Sequence, residues 1–494
     1  MSAINIVWLK RDLRLRDHEP LYKAVSSSLP FIIIYMLEPI MMEDEHMDVR
    51  HWRFISQSLQ DMDMQLREYH ASRSAASFVH IMHGDAISVL NQIAEKYDIK
   101  SIFSHQEIGL DHTFERDKQV ARWCKSRFVD WQESVYGAVK RPLSNRTKWQ
   151  AHWYGRIMSA VSDPDLNSVS ELCIVPSASS LNHKQVPTAW LEHAENFQLG
   201  GEKRAWHTLK HFFTERGKAY FGNIGNPTVA RKTCSRLSPY LAWGNISLKQ
   251  VYQYSQQYKQ RKGWRKSVAA FTSRLHWHCH FIQKFESESA MEQRPVNRAY
   301  IHFPYETGDT AKQRLEHWQN ATTGIPIIDA CMKAVQATGY INFRMRAMLV
   351  SFLCHHLNID WRQGVTYLGS QFLDFEPGIH YPQFQMQAGI TGTNIIRLYN
   401  PVKQSQDKDP DATFITKWLP VLEVLPKEMR HTPWLLNPME QQLYNFNLGE
   451  DYPAPIIDIE QAAREARDRL WRYRERDDVK QEARRVLFTH SVLT

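Results

Sequence analysis

Five consecutive apolar residues, Phe31 to Tyr35 (FIIIY), narrow the fold more than any other stretch. A strand with one wet face alternates apolar and polar residues, whereas a continuous run suits a strand covered on both faces of a parallel sheet. INIVWL at 4–9 has the same character and ends in Lys10, Arg11 and Asp12. Between such runs the period changes. Trp52, Ile55, Leu59, Met62 and Leu66 recur at steps of three and four, which predicts a helix before the next strand, Phe78 to Met82. Asp85 is placed to cap a helix carrying Ile87, Leu90, Ala94 and Tyr97. A strand at Ser101 to Ser104, a helix through Phe114, Val120 and Trp123, and a strand at Phe128 to Trp131 continue the alternation. Residues 1–135 therefore read as a parallel α/β domain of about five strands.

This domain carries neither G-x-G-x-x-G nor G-x-x-x-x-G-K-[ST], so the nicotinamide fingerprint and the P-loop are excluded. His105 to Asp111 follows a strand end, where open α/β sheets place ligands, but an ordinary loop is the favoured reading. Residues 136–195 read as a connector, with Ser, Asn and Pro concentrated at 162–187. From Gly200 the pattern becomes helical, with Trp206, Leu209 and Phe213 along one stripe. No convincing strand alternation returns, so 196–494 reads as an all-α domain. Asp458 to Val486 reads as one highly charged helix with a solvated face.

Composition adds limits. Lys and Arg number 61 against 53 Asp and Glu, a formal charge of +8 that suits a polyanionic partner without diagnosing one. The aromatic residues can fill a core or stack on bases and flavin rings. Six scattered cysteines with no C-x-x-C pair read as reduced thiols of a cytoplasmic protein. No run approaches the ~18 to 20 apolar residues of a membrane span, and a secretory leader core is absent. A soluble monomer is expected.

The stretch Thr338 to Pro401 concentrates the unusual residues. Ile341, Met345, Met348, Phe352 and His355 recur at helical spacing, with Arg344 and Arg346 off that apolar face. Asp374 and Glu376 follow, then Pro377, Gly378 and Pro382, a run read as unable to form regular helix. Carboxylates on a loop after an Arg-bearing helix suggest an ion-paired polar pocket. On spacing alone, such an Arg and Asp form a surface pair or strut more often.

TTGIPIIDACM (Thr322 to Met332), TGYINFRMRAMLVSFL (Thr338 to Leu353), IDWRQG (Ile359 to Gly364), RLYNPVKQ (Arg397 to Gln404) and FITKWLPVL (Phe414 to Leu422) resemble the flavin-binding domain of the DNA photolyase and cryptochrome family. SRLSPYLAWGNIS (Ser235 to Ser247) and VWLKRDLRLRDHEPL (Val7 to Leu21) fit the same pattern. The resemblance implies an α/β antenna domain and a helical domain holding a U-shaped FAD, with a folate or deazaflavin antenna pigment between them. It implies that the excited, fully reduced FAD donates an electron to a pyrimidine dimer in UV-damaged DNA, single-stranded or duplex.

By the same resemblance, Ser235, Arg236, Leu237 and Ser238 form the phosphate-binding turn, with Cys234 where a Thr is usual, and Tyr220 is a further phosphate contact. Arg346 lies beside the flavin ring with Asp374 as its partner, Glu376 replaces a second Asp, and His278 replaces an Arg of the cofactor site. His380 faces flavin N5 where repair enzymes have Asn; a donor there, with protonation near pH 6.5, is expected to tune the flavin radical. Trp361 matches the middle tryptophan of the electron relay, but Phe384 replaces the innermost and Met386 another nearby, so the relay is lost or rerouted through Tyr381 or Tyr399. Trp277 flanks the lesion, Arg274 replaces a base-binding Glu, and Phe343 and Ala347 stand where 6-4 enzymes have two histidines. Arg344 and Arg397 point to DNA phosphates. His276, His278 and His280 alternate on one helix rather than converge, and no metal is expected. The implied activity is a light-driven lyase on pyrimidine dimers, cyclobutane type before 6-4; a cryptochrome photoreceptor is the alternative, and a flavoprotein with a non-DNA substrate a third reading. A long C-terminal extension would favour signalling.

Overall fold

The computed structural model describes residues 1–69, 77–175 and 186–491. Five parallel strands, β1 (Ser2–Leu9), β2 (Phe31–Leu37), β3 (Val79–His83), β4 (Tyr97–His105) and β5 (Asp130–Ser134), form one sheet in the order β3-β2-β1-β4-β5. All seven residues of β2 are buried, as its unbroken apolar run requires. The helix Val49–Glu68 starts in a capping box in which the Asp48 carboxylate accepts from Arg50 N–H and His51 Nδ1 accepts from Asp48 N–H. Asp85 caps Ala86–Ala94 by accepting from Ser88 N–H; Tyr97 belongs to β4. After Ser134 every regular element among the described residues is helical.

Three expectations change. Within the stretch read as connector, Trp149–Met158 and Leu166–Leu172 are helices, because Trp149, Trp153 and Ile157 bury one face; residues 176–185 of its Ser- and Pro-rich part lie outside the described residues. The charged C-terminal stretch is two helices, Ile459–Arg474 and Asp477–His490, and Leu470, Tyr473, Val479 and Val486 are core residues. The Pro-rich run is a helix, Pro377–Gln387: Pro377 sits in the first turn, where a missing N–H costs nothing, and Pro382 is carried inside. The flank of that helix is packed on Arg265–Ser287. A Cβ on Gly378 would lie 3.0 Å from Ile282 Cα. Gly378→Ala is therefore expected to destabilise by about 1–3 kcal/mol, read as a lower denaturant midpoint at unchanged slope.

Side chains from the sheet region lock the two parts together by spending donors on backbone carbonyls of the helical part. Arg50 Nη1 donates to Gln371 O at 2.8 Å, one ring nitrogen of His51 sits 2.9 Å from Phe372 O, and Arg11 Nη1 donates to Phe375 O at 2.9 Å. In return Asn245 Nδ2 donates to Leu13 O, and within the helical part Trp243 Nε1 donates to Leu373 O at 2.9 Å. Gln371 ends helix Trp361–Gln371, and the other three acceptors, Phe372, Leu373 and Phe375, lie on the non-helical link between it and Pro377–Gln387. Its backbone is fixed from outside, and Asp374 projects from it.

Candidate functional site

Helix Phe343–Ser351 begins at Asn342 and turns Arg346 toward this link. Arg346 Nη2 donates to both Asp374 oxygens, at 2.8 and 3.0 Å, while its guanidinium lies 3.6 Å from the Phe372 ring centroid. Burial pushes the Asp374 carboxyl up, but Arg346 and the Ser238 hydroxyl outweigh it and hold the group below the usual carboxylate range. Ser238 thereby brings the turn Ser235–Ser238 against the ion pair.

The turn is shaped by Arg236, whose φ of 63° is left-handed and whose guanidinium covers the Tyr340 ring at 3.5 Å. Its Nη2 and Nε donate to Gln198 Oε1 at 2.7 and 3.1 Å, and Nη1 is buried without a partner. Burial draws this guanidinium down to about 10. Arg216, which the sequence reading missed, donates to the carbonyls of Cys234, Ser235 and Lys232. It projects from a wide helical turn, Phe212–Arg216, that has no sequence signature. With the turn's acceptors occupied, what it has left to offer are donors, which suits a phosphate. Tyr220 is buried nearby, its phenol pushed up by burial and by neighbouring Cys234.

Arg346, Phe372, His380, Phe384 and Gln387 line a small cavity of about 20 Å³ whose remaining wall includes Phe343 and Ala347. His380 corrects two expectations. Burial depresses its pKa to about 3, so it stays neutral at pH 6.5. Its Nε2 lies 2.8 Å from Val365 O, and since a carbonyl only accepts, Nε2 carries the proton and Nδ1 is a lone pair. His380 therefore presents an acceptor to the cavity, not a donor. Gln387 has both amide atoms buried without partners, and Glu376 has an unpartnered Oε1. Unspent donors and acceptors around a guanidinium and apolar rings fit the heteroatom edge of a flavin.

Glu376 is the second electrostatic centre. Its Oε2 accepts from Tyr136 O–H at 2.9 Å, and Arg11 Nη1 stands 4.0 Å away. Burial raises its carboxyl to about 7 against the partial offset from Arg11. The folded pKa lies above the unfolded value of 4.5, so protonated Glu376 stabilises the fold fully below pH 4.5, and that contribution is lost as pH rises through 7. Glu292, raised to about 7, and Asp329, raised to about 6, slope the same way. The informative quantity is the difference between wild type and Glu376→Gln. In flavin-free protein the stability gap between pH 4.5 and 8 is expected to shrink by up to about 3 kcal/mol in the variant, measured by denaturant titration.

Arg11 and Tyr136 also line a cleft between the sheet and the helices, with Asp12, His105, Lys249 and His278. At the β4 end, where 106–110 follow as an irregular loop, the strand's last residue His105 is buried, and its Nδ1 lies 2.7 Å from Asp12 Oδ2. His18 Nε2 stands 3.0 Å from the same oxygen, so Asp12, His18 and His105 converge as a metal site would. The tautomer argues otherwise. His18 Nδ1 accepts from Leu21 N–H, which leaves the proton on Nε2, whereas a metal-bound imidazole needs that nitrogen bare. Asp12 is read as a carboxylate held by two imidazole donors.

The other expected site residues are more dispersed. Trp277 and Arg274 are exposed on helix Arg265–Ser287 and do not line the Arg346 cavity. His278 faces the cleft with an unpartnered Nδ1, its pKa lowered to about 4 by burial. His276 packs against Trp149 and Trp153. Arg344 donates to Gln404 Oε1 at 3.3 Å, Arg397 is exposed, and neither forms a salt bridge among the described residues. Trp361 is buried, 6.3 Å from the Tyr381 ring.

Residues 271–472 match the pattern described as the FAD binding domain of DNA photolyase, and residues 5–148 the one described as DNA photolyase. The chain is 29% identical to a cryptochrome DASH of Synechocystis sp. over 94% of this chain and 97% of the relative. It is 30% identical to a deoxyribodipyrimidine photo-lyase of Alkalihalophilus pseudofirmus over 52% of this chain and 53% of that protein. The crystal structure of the Synechocystis cryptochrome superposes with a TM-score of 0.82 at 25% identity, covering 95% of this chain and 99% of the other.

Proposed function

Because this chain belongs to the DNA photolyase and cryptochrome family, we propose that it is a light-driven DNA repair flavoenzyme that splits UV-induced pyrimidine dimers, the cyclobutane type before 6-4. The observation that carries the reading is the Arg346–Asp374 pair, set against Ser238 at the wall of a cavity with unspent polar atoms. When bound there, reduced FAD would supply the light-excited electron. The chain's own residues then do four things. Ser235 to Ser238, with Arg236, neutralise and position phosphates. Arg346, fixed by Asp374, sets a positive charge beside the ring that gains and loses electrons. His380 offers its Nδ1 lone pair, and Phe372 and Phe384 keep water from the ring. Arg344 and Arg397, with no carboxylate partners among the described residues, are available to DNA phosphates, which position a strand without reading sequence.

Phe343 and Ala347 on the cavity wall favour the cyclobutane lesion, since 6-4 chemistry in this family places histidines there. A folate or deazaflavin in the cleft lined by Arg11 and His105 would serve as antenna. The deciding test is illumination of reduced protein with single-stranded and duplex DNA carrying each lesion; restored bases support repair, and none with either lesion overturns it. In that event the cryptochrome photoreceptor is the better reading, which the likeness to cryptochrome DASH proteins and the Arg at 274 favour.

The inner relay position tests the electron supply. Phenylalanine is far harder to oxidise than tryptophan, so Phe384→Trp is expected to speed photoreduction of bound flavin, followed by loss of the oxidised-flavin absorbance under blue light. An unchanged rate counts against Phe384 as the inner relay position.

A further inference from the structure

With Phe384 unable to serve as a donor, the neighbourhood of Trp361 and His380 contains one buried group that can lose an electron and has a base ready for its proton. Tyr381 is 3% exposed, its ring 6.1 Å from His380 and 6.3 Å from Trp361. Its hydroxyl lies 2.8 Å from Nε2 of His46, a residue of the N-terminal part of the chain, 335 positions away. His46 is stacked on Phe375 at 4.9 Å and 12°, which fixes the ring plane. Its Nδ1 lies 2.7 Å from Asp44 Oδ1, and Asp44 Oδ1 also accepts from His46 N–H at 2.8 Å.

The protons follow from the chemistry of the three groups. Burial pushes Asp44 up, but His46 outweighs it and holds the carboxyl below its usual range, so Asp44 is ionised and only accepts. Nδ1 of His46 is therefore the donor, Nε2 is a lone pair, and the Tyr381 phenol donates to it. Other titratable groups face this row: His112 Nε2 is 3.3 Å from Asp44 Oδ2, and Glu292 and Asp111 lie near enough to act on Tyr381. None of them interrupts the phenol, imidazole, carboxylate sequence. Tyr399, the other tyrosine in the expectation, shows no such base among the described residues: its backbone N–H reaches Ser351 Oγ, and its phenol oxygen makes no hydrogen bond there.

We propose that Tyr381 is the proton-coupled electron donor that reduces the oxidised flavin after light excitation, with His46 as proton acceptor and Asp44 as the group that orients and charges it. One electron leaves the phenol for the excited flavin. The Tyr381 O–H bond breaks, an N–H bond forms at His46 Nε2, and the imidazolium is paired with the Asp44 carboxylate; the negative charge gained by the flavin is balanced by the positive charge gained by His46, and the phenoxyl radical is left neutral. Oxidising a phenol without removing its proton would leave a buried cation, which this arrangement avoids. The inference rests on the flavin reading, and it adds residues from the α/β part to the electron route.

The test uses purified, flavin-containing protein in five forms: wild type, Tyr381→Phe, His46→Phe, His46→Asn and Trp361→Phe. Flavin content is read first from the ratio of flavin to protein absorbance, then photoreduction under blue light with a thiol reductant present, then the tyrosyl radical by electron paramagnetic resonance, in water and deuterium oxide. Tyr381→Phe is expected to keep flavin, lose the radical and slow photoreduction at least tenfold. His46→Phe keeps Tyr381 but is expected to slow photoreduction by about 10²-fold or more, the contribution typical of a positioned base, and to abolish the deuterium effect. His46→Asn, which retains a polar group of similar reach without the basicity, separates loss of the base from loss of packing and is expected to behave as His46→Phe does. Nitrogen NMR of His46 in flavin-free protein is expected to show Nδ1 protonated. Unchanged photoreduction in flavin-loaded Tyr381→Phe, or a collapse confined to Trp361→Phe, overturns the relay alone; a wild type that binds no flavin overturns it together with the flavin reading.

Discussion

Asp374→Ala is expected to lower stability by about 3–5 kcal/mol and to yield protein without flavin, because removing one member of a buried pair leaves the other charge unpaired. Arg346 keeps 18% of its side chain exposed against 9% for Asp374, so part of that penalty is relieved by water and the lower end of the range is the better expectation. Asp374→Asn separates charge from shape: it can still accept from Arg346 and is expected to retain more stability than Ala, yet to lose flavin affinity. Denaturant midpoints of flavin-free protein give the first quantity, and the flavin-to-protein absorbance ratio after gel filtration gives the second. The pH dependence has a definite sign. Asp374 is held below the usual carboxylate range, so its contribution is present above the unfolded pKa and fades as pH falls through the folded one. Colourless wild-type protein, or Asp374→Ala that keeps its flavin, would remove the basis for the site.

Trp277→Ala is the second large effect. The indole is 48% exposed on a helix whose inner face is buried, with His280 at 5.0 Å and Phe281 at 5.6 Å. An exposed tryptophan braced from behind is a stacking platform, and stacking of one base on an aromatic ring contributes about 1–3 kcal/mol. Affinity for lesion-bearing DNA is therefore expected to fall roughly 5- to 150-fold, read by fluorescence anisotropy at fixed salt. Undamaged duplex should be affected far less, because its bases stay stacked. Arg344→Ala supplies the contrast: a phosphate contact should weaken damaged and undamaged DNA alike and flatten the salt dependence by about one ion. If Trp277→Ala weakens both DNAs equally, the ring belongs to the scaffold and not to a lesion pocket.

The parts of the chain that could be read without coordinates are those in which physical demand repeats along the sequence. Phe31 to Tyr35 had to be buried on both faces, and the helix through Trp52 to Leu66 had to show its apolar residues every three or four positions. The site residues Arg346 and Asp374 stood out only through motifs, since a single ion pair leaves no period. Where the reading failed, a remote partner had overridden a local rule. Pro382 is carried in a helix that lies close against Ile282 at Gly378. The charged C-terminal stretch is partly core because other elements cover its apolar residues.

From the sequence alone came the parallel α/β part and the helical remainder, because strand burial and helix period are written in neighbouring residues; the Arg–carboxylate pair came only through the family motifs that contain it. Only the tertiary structure decided which nitrogen of His380 holds its proton, why Glu376 titrates near 7, and that Asp44 and His46 reach Tyr381. Protonation is set by what a group faces and by how much water is excluded. Both depend on chain segments hundreds of residues apart, and no local pattern records them.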